Sequence, residues 1–303
     1  MEQIAALRLC IAFALALAVA LGGAACGGSS TDSAAAPPAT PPGELPPKMF
    51  RTFQAATGVL GQPDFASRNV NRGLAAPTAA TLSTATGVAA GNGLIVVADT
   101  GNQRVLAFRT PLDGSPGPQA DFVVGRAGDF QEPAAASVGL GKIAVADRMA
   151  NRVLIYDAAS PQERPVVVGQ PDMNPGGQVC DDSHLWLPQA VHITPDGKLV
   201  VADSGHSRVL IWDTLPTTDG QPARVVLGQS GFFTCVDNRG NGAPSRDSMQ
   251  SPRGVWSDGT RLVVADTLNR RVLIWDELTM RSAQAPDRLL GQTGYRVPGR
   301  SAS

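Results

Sequence analysis

The stretch LIVVADTGNQRVL, residues 94–106, returns as IAVADRMANRVL at 143–154, LVVADSGHSRVL at 199–210 and LVVADTLNRRVL at 262–273. In every copy an apolar, largely β-branched run ends in Ala-Asp, and an arginine stands five residues beyond the aspartate. The pairs are Asp99 and Arg104, Asp147 and Arg152, Asp203 and Arg208, and Asp266 and Arg271. A second pattern alternates with the first: VLGQ at 59–62, VVGR at 123–126, VVGQ at 167–170, VLGQ at 226–229 and LLGQ at 289–292. It occurs once more often than the first.

Self-similarity at intervals of roughly 45–60 residues points to stacked supersecondary units. Each unit reads as four short strands. The first centres on Gly87-Val88, Val138, Val191–Ile193 or Gly254–Trp256, and the second is the run ending in Ala-Asp. The third is Arg-Val-Leu with its aromatic continuation at Phe108, Tyr156, Trp212 or Trp275, and the fourth precedes Gly-Gln. Turn signals such as Pro195-Asp196-Gly197 separate them. Four strands per unit make a propeller blade. The expectation is therefore an all-β fold: a β-propeller of four-stranded antiparallel blades, with four repeats and one extra N-terminal strand, Thr57–Gln62. The propeller spans residues 50–295 and leaves 296–303 as a tail. The extra strand has two candidate places, as a latch on the last blade or paired with a partner chain. An open arc would leave strand edges unprotected.

Ala98-Asp99-Thr100-Gly101-Asn102 followed by Arg104-Val105 resembles the NHL repeat. Residues 202–209 and 265–272 are close to it, while the second copy departs with Met149-Ala150 in place of glycine-asparagine. The resemblance covers about 57–292 and implies the propeller. It says less about activity, because NHL propellers bind proteins, peptides, RNA or small ligands and a minority are enzymes.

Composition agrees with many strands and turns. The 303 residues include 33 glycines and 24 prolines, with few aromatics. A net charge of −1 offers no basic field for phosphates, so nucleic acid is not an expected partner.

The N-terminus reads as an address. Leu9–Leu21 is an unbroken apolar run, too short to span a bilayer but the right length for a signal-peptide core. Gly22-Gly23-Ala24-Ala25 then lead to Cys26, which resembles the bacterial lipobox, except that Gly23 stands where leucine is usual. Two readings stay open: lipidation of Cys26, or ordinary cleavage near Ala25. Under the first, residues 1–25 are a lipoprotein signal peptide and 26–49 a Gly/Ser/Ala/Pro tether that cannot bury a core. The protein would then be anchored to a membrane and face the periplasm or cell exterior.

The four aspartates could be a ring of carboxylates for metal or acid–base chemistry. A motif repeated in every blade is better explained by what a blade needs. Each carboxylate would accept amide hydrogens of its own turn, and each arginine would pair with it across the hairpin. Trp212, Trp256 and Trp275 are expected to pack between blades. The links 63–84, 171–187 and 230–251 are long and build up one rim, where binding residues tend to lie. Trp186 and His184 in the second link, with His192 on an inner strand, are the candidate binding residues. Cys180 and Cys235 lie in successive links; a disulfide and two free thiols both stay open. The expected function is an exported, membrane-anchored binding or scaffolding module for a protein, peptide or glycan, with no cofactor, metal or catalytic residue assigned. The alternative is a metal-dependent lyase or hydrolase with its site at the propeller axis.

Overall fold

A computed structural model describes residues 55–295 apart from 113, 279 and 280. The expected signal peptide (1–25), Cys26 and the expected tether (26–49) therefore lie outside the described residues, as does the 296–303 tail. Among the described residues no helix is long and apolar enough to cross a membrane.

Four antiparallel sheets of four strands follow one another along the chain. Blade 1 is β1 (Ala85–Gly91), β2 (Leu94–Asp99), β3 (Arg104–Arg109) and β4 (Phe122–Val124). Blade 2 is β5 (Pro133–Gly139), β6 (Lys142–Asp147), β7 (Arg152–Asp157) and β8 (Val166–Val168). Blade 3 is β9 (Ala190–Ile193), β10 (Leu199–Asp203), β11 (Arg208–Trp212) and β12 (Val225–Leu227). Blade 4 is β13 (Pro252–Ser257), β14 (Leu262–Asp266), β15 (Arg271–Trp275) and β16 (Arg288–Leu290). The register is the same in every blade, with each repeat aspartate opposite its repeat arginine.

The strands are apolar on both faces, and blades 2 and 3 are each packed between two neighbours. Alternate residues point to opposite neighbours. Val96, Val105 and Ala107 of blade 1 meet Val145, Leu154 and Tyr156 of blade 2. Ala144, Ala146, Val153 and Ile155 on the other face of blade 2 meet Val191, Val201, Leu210 and Trp212 of blade 3. Val200, Val209 and Ile211 then meet Val264, Leu273 and Trp275 of blade 4. Inner strands of successive blades touch throughout, β1 with β5, β5 with β9 and β9 with β13, with no comparable packing of β13 on β1. The result is a four-bladed propeller whose ring is open between blade 4 and blade 1.

Two expectations about the ends change. Trp212 and Trp275 are packed between blades at 1% exposure each, but Trp256 is 48% exposed. It points to the side of blade 4 that has no neighbour. The extra segment Thr57–Gln62 joins no sheet, and the fourth strand of blade 4 is its own β16. Leu60 instead packs with Leu82 on Val97, Leu106 and Phe108 of blade 1. There it stands where the outer strand of a preceding blade would stand: Gly117 donates its N–H to Val59 O at 3.0 Å, as Gly220 does to Val167 O, also at 3.0 Å.

Candidate functional site

The repeat aspartates are completely buried. Asp203 Oδ1 accepts the N–H of Trp186 at 2.7 Å, and Oδ2 accepts Arg208 Nε at 2.7 Å. The other copies agree: Ser83 N reaches Asp99 at 2.8 Å, Glu132 N reaches Asp147 at 2.7 Å, and Gln250 N reaches Asp266 at 2.8 Å. The amides thus come from the link preceding the blade's first strand. The expectation that each aspartate would hold its own turn is met through turn side chains in blades 1 and 4, where Asn102 and Asn269 donate to Asp99 and Asp266 at 2.7 and 2.8 Å, while the turn backbone is closed by its own bonds such as Gln103 N to Thr100 O at 3.0 Å. Burial pushes the Asp147 and Asp266 carboxyls above their ordinary value, against the opposing pull of amide donors and of Arg152 and Arg271.

Each arginine spends its remaining nitrogens on link carbonyls. Arg271 Nη2 donates to Ser245 O and Ser248 O at 2.9 and 2.8 Å, and Arg208 donates to Phe232 O and His184 O at 2.7 and 2.9 Å. The Asp–Arg pair is therefore the joint that fastens the links to the sheet, its carboxylate fully buried in all four blades. The Gly-Gln step serves the same links. All five motif glycines have φ between +75° and +92°, where a side chain is strained, and a Cβ on Gly61 would lie 2.6 Å from Leu82. The glutamines donate to link or turn carbonyls, as Gln62 to Asn69 O at 2.9 Å and Gln229 to Val236 O at 2.8 Å.

Fastened in this way, the long links form the loop-rich rim. Cys180 and Cys235 are joined by a disulfide with a Cα separation of 6.0 Å, tying the link ahead of blade 3 to the link ahead of blade 4. Around it Phe233 is 80% exposed, and Val179 and Val236 are exposed as well. The carbonyl of the neighbouring Phe232 is gripped by Arg208, so these apolar tips sit on an anchored base. His184 is half-buried, with Nδ1 at 2.9 Å from both Asp181 carboxylate oxygens. Burial alone would raise the Asp181 carboxyl; hydrogen bonds from His184 and Ser183 outweigh it and hold it below its ordinary value.

Trp186 lies against His206, ring centroids 5.6 Å apart. His206 is fully buried, with Nδ1 2.9 Å from Asp203 Oδ2, in the place taken by Asn102 and Asn269 in blades 1 and 4. His192 stands away from the links on β9 and donates from Nε2 to Ser257 O of blade 4 at 2.8 Å. Burial lowers its pKa. The three histidines are each engaged by separate partners. Among the described residues no three His, Cys, Asp or Glu side chains are placed to hold a metal ion. A cleft of about 540 Å³ lies elsewhere, on the outer side of blade 1 among Arg109, Leu112, Gly117 and Asp121.

The sequence held one further signal in the links. Asn71-Arg72-Gly73 and Asn238-Arg239-Gly240 adopt the same left-handed turn, with φ of 50°, 56° and 80° in the first and 50°, 59° and 78° in the second. Asn71 is bonded to Asn102 and Asn238 to Asn269, so the same asparagine pair locks the links of blades 1 and 4. The shared Asn-Arg-Gly tripeptide, nine residues after Gly-Gln's glutamine in both links, was visible in the sequence.

Four-stranded blades, a repeated Asp–Arg joint and a rim of anchored loops define a β-propeller, a fold that suggests a binding or scaffolding module. Residues 82–108, covering β1, β2 and all of β3 but its last residue, match the NHL repeat family model. No curated protein matches the chain. Among solved structures, Hsv2p of Kluyveromyces lactis is similar at 9% identity with a TM-score of 0.39; the match covers 65% of this chain and 50% of that one. NHL propellers are often non-enzymatic.

Proposed function

We infer that the protein is an exported, lipid-anchored propeller that binds a protein or peptide partner through its loop-rich rim without catalysing a reaction. The observation that carries this is the disulfide-joined loop pair, with Val179, Phe233 and Val236 exposed on a base held by Arg208. Exposed aromatic and aliphatic tips on a rigid support suit macromolecular recognition, since little ordering is needed on binding. The disulfide supports an oxidising compartment. The run Leu9–Leu21 followed by Cys26 supports export and lipidation. Burial of the repeat aspartates and their bonds to arginine and link amides support a structural and not a catalytic role for them.

Two measurements test the inference. Mass spectrometry of the mature chain should find acyl chains on Cys26 and none in Cys26→Ser; an unprocessed N-terminus would sink export. In-cell crosslinking from the rim should capture an envelope partner that Phe233→Asp with Val236→Asp loses at unchanged melting temperature. Capture that is indifferent to those substitutions would remove the rim from the account.

A further inference from the structure

The two ends of the arc carry the two halves of a contact that the chain makes three times internally. Three structural positions show it. The first is the inner-strand residue opposite the residue two before the aspartate, which faces the preceding blade. In blades 2, 3 and 4 it is Ala136, Val191 and Val255, all packed against that blade. In blade 1 it is Val88, 71% exposed.

The second is the next residue along, which faces the following blade. In blade 2 it is Ser137, whose Oγ accepts Ile193 N at 2.9 Å; in blade 3 it is His192, which donates to Ser257 O at 2.8 Å. In blade 4 it is Trp256, with no blade to meet. The third is the hydroxyl just after the aspartate. Thr100 Oγ1 donates to Pro133 O at 2.6 Å and Ser204 Oγ to Pro252 O, each the first strand residue of the next blade. Thr267 holds this position in blade 4 and reaches only its own Ala265 O, at 3.4 Å.

We propose that a second copy of this chain fills the gap, blade 4 of each copy packing on blade 1 of the other to close one ring of eight blades. The matching donors and acceptors are present. Trp256 Nε1–H meets the Ala90 carbonyl in the place of His192 and Ser257, and Thr267 Oγ1 meets the Ala85 carbonyl in the place of Thr100 and Pro133. Trp256, Val263, Val272 and Ile274 form the apolar face that covers Val88 and its surroundings. The contact is heterologous, so it must close or propagate, and eight blades is within the range that propellers close.

The outer-strand place ahead of blade 1 is already held by Val59-Leu60-Gly61-Gln62, a near copy of Leu289-Leu290-Gly291-Gln292. One copy must yield at each junction. Leu60 is packed on Val97 and Leu106, whereas Leu290 is exposed, so β16 is the strand displaced.

Light scattering on the purified full chain at micromolar concentration tests this. Twice the monomer mass is expected. Trp256→Glu and Val88→Glu, both at exposed positions of the single chain, should each weaken dimerisation at least about tenfold without changing the monomer's circular dichroism. Mixing the two variants should restore association in part, because one junction then joins two intact halves. Amide exchange at Arg288–Leu290 should rise in the dimer. A wild-type monomer throughout this range overturns the proposal and leaves the faces to a different partner. A dimer broken by Trp256→Glu but indifferent to Val88→Glu also overturns it, since that is blade 4 against blade 4.

Discussion

Blades 3 and 4 contain the same two pentapeptides, LVVAD in β10 and β14 and RVLIW in β11 and β15, in the same register. In blade 3 all ten residues are buried; in blade 4 buried and half-exposed residues alternate strictly. Identical sequence therefore gives identical strands and an identical Asp–Arg joint, while burial of one face depends on what stands beside it. The comparison separates energies that belong to a blade from energies that belong to a junction.

The largest expected effect tests what belongs to the blade. Arg208→Ala and Arg271→Ala should each cost about 3–5 kcal/mol, since each leaves a buried carboxylate without its partner. The two costs should agree within about 1 kcal/mol, because both arginines are almost fully buried in the same bonds. Urea unfolding measures both, and a large difference would break the claim that the joint is local. Reducing the Cys180–Cys235 bond should come next, lowering stability by about 2–4 kcal/mol through freeing a long loop of the unfolded chain, read as a shift in the thermal midpoint with and without reductant.

Ile211→Ala and Ile274→Ala isolate the junction. Ile211 is buried against blade 4, and its truncation should cost about 2–5 kcal/mol. Ile274 lies on the open face and should cost about 1 kcal/mol in the monomer. Equal costs would mean that blade 4 is covered in solution.

The smallest effect is at His192. Its folded pKa is lowered from 6.5 by burial, so the unfolded chain takes up a proton more readily than the native one. Stability is intact above about 6.5 and falls as the pH drops below it. His192→Gln keeps a donor for Ser257 O and should flatten this part of the acid slope, visible in urea midpoints at neutral and mildly acidic pH.

The blades were legible because their signal is local and repeated: the β-branched run, the aspartate that stops it and the arginine five residues later all lie within one hairpin. Trp256 was misjudged because a strand position specifies which way a side chain points, and not whether another blade is there to receive it. The role of the aspartates was half legible. Their pairing with arginine follows from a spacing of five, but their bond to the link spans fifteen to seventeen residues, beyond the reach of turn patterns. The rim was legible as long links between blades. Which of its residues stand clear was not, because Trp186 is absorbed by His206 while Phe233 is left out by the disulfide-bound turn beside it.

That link-to-aspartate bond also bears on how the chain reaches its native state. Each blade carries a clasp between Oδ1 of its aspartate and an amide only fifteen to seventeen residues upstream. Closing so short a loop costs little entropy, so the link, the first strand and the second can assemble before any distant contact forms. The arc then grows as neighbours dock onto blades already formed, in the manner of a linear array. The middle blades, covered on both sides, become its most protected segment, and the two ends are where it opens first.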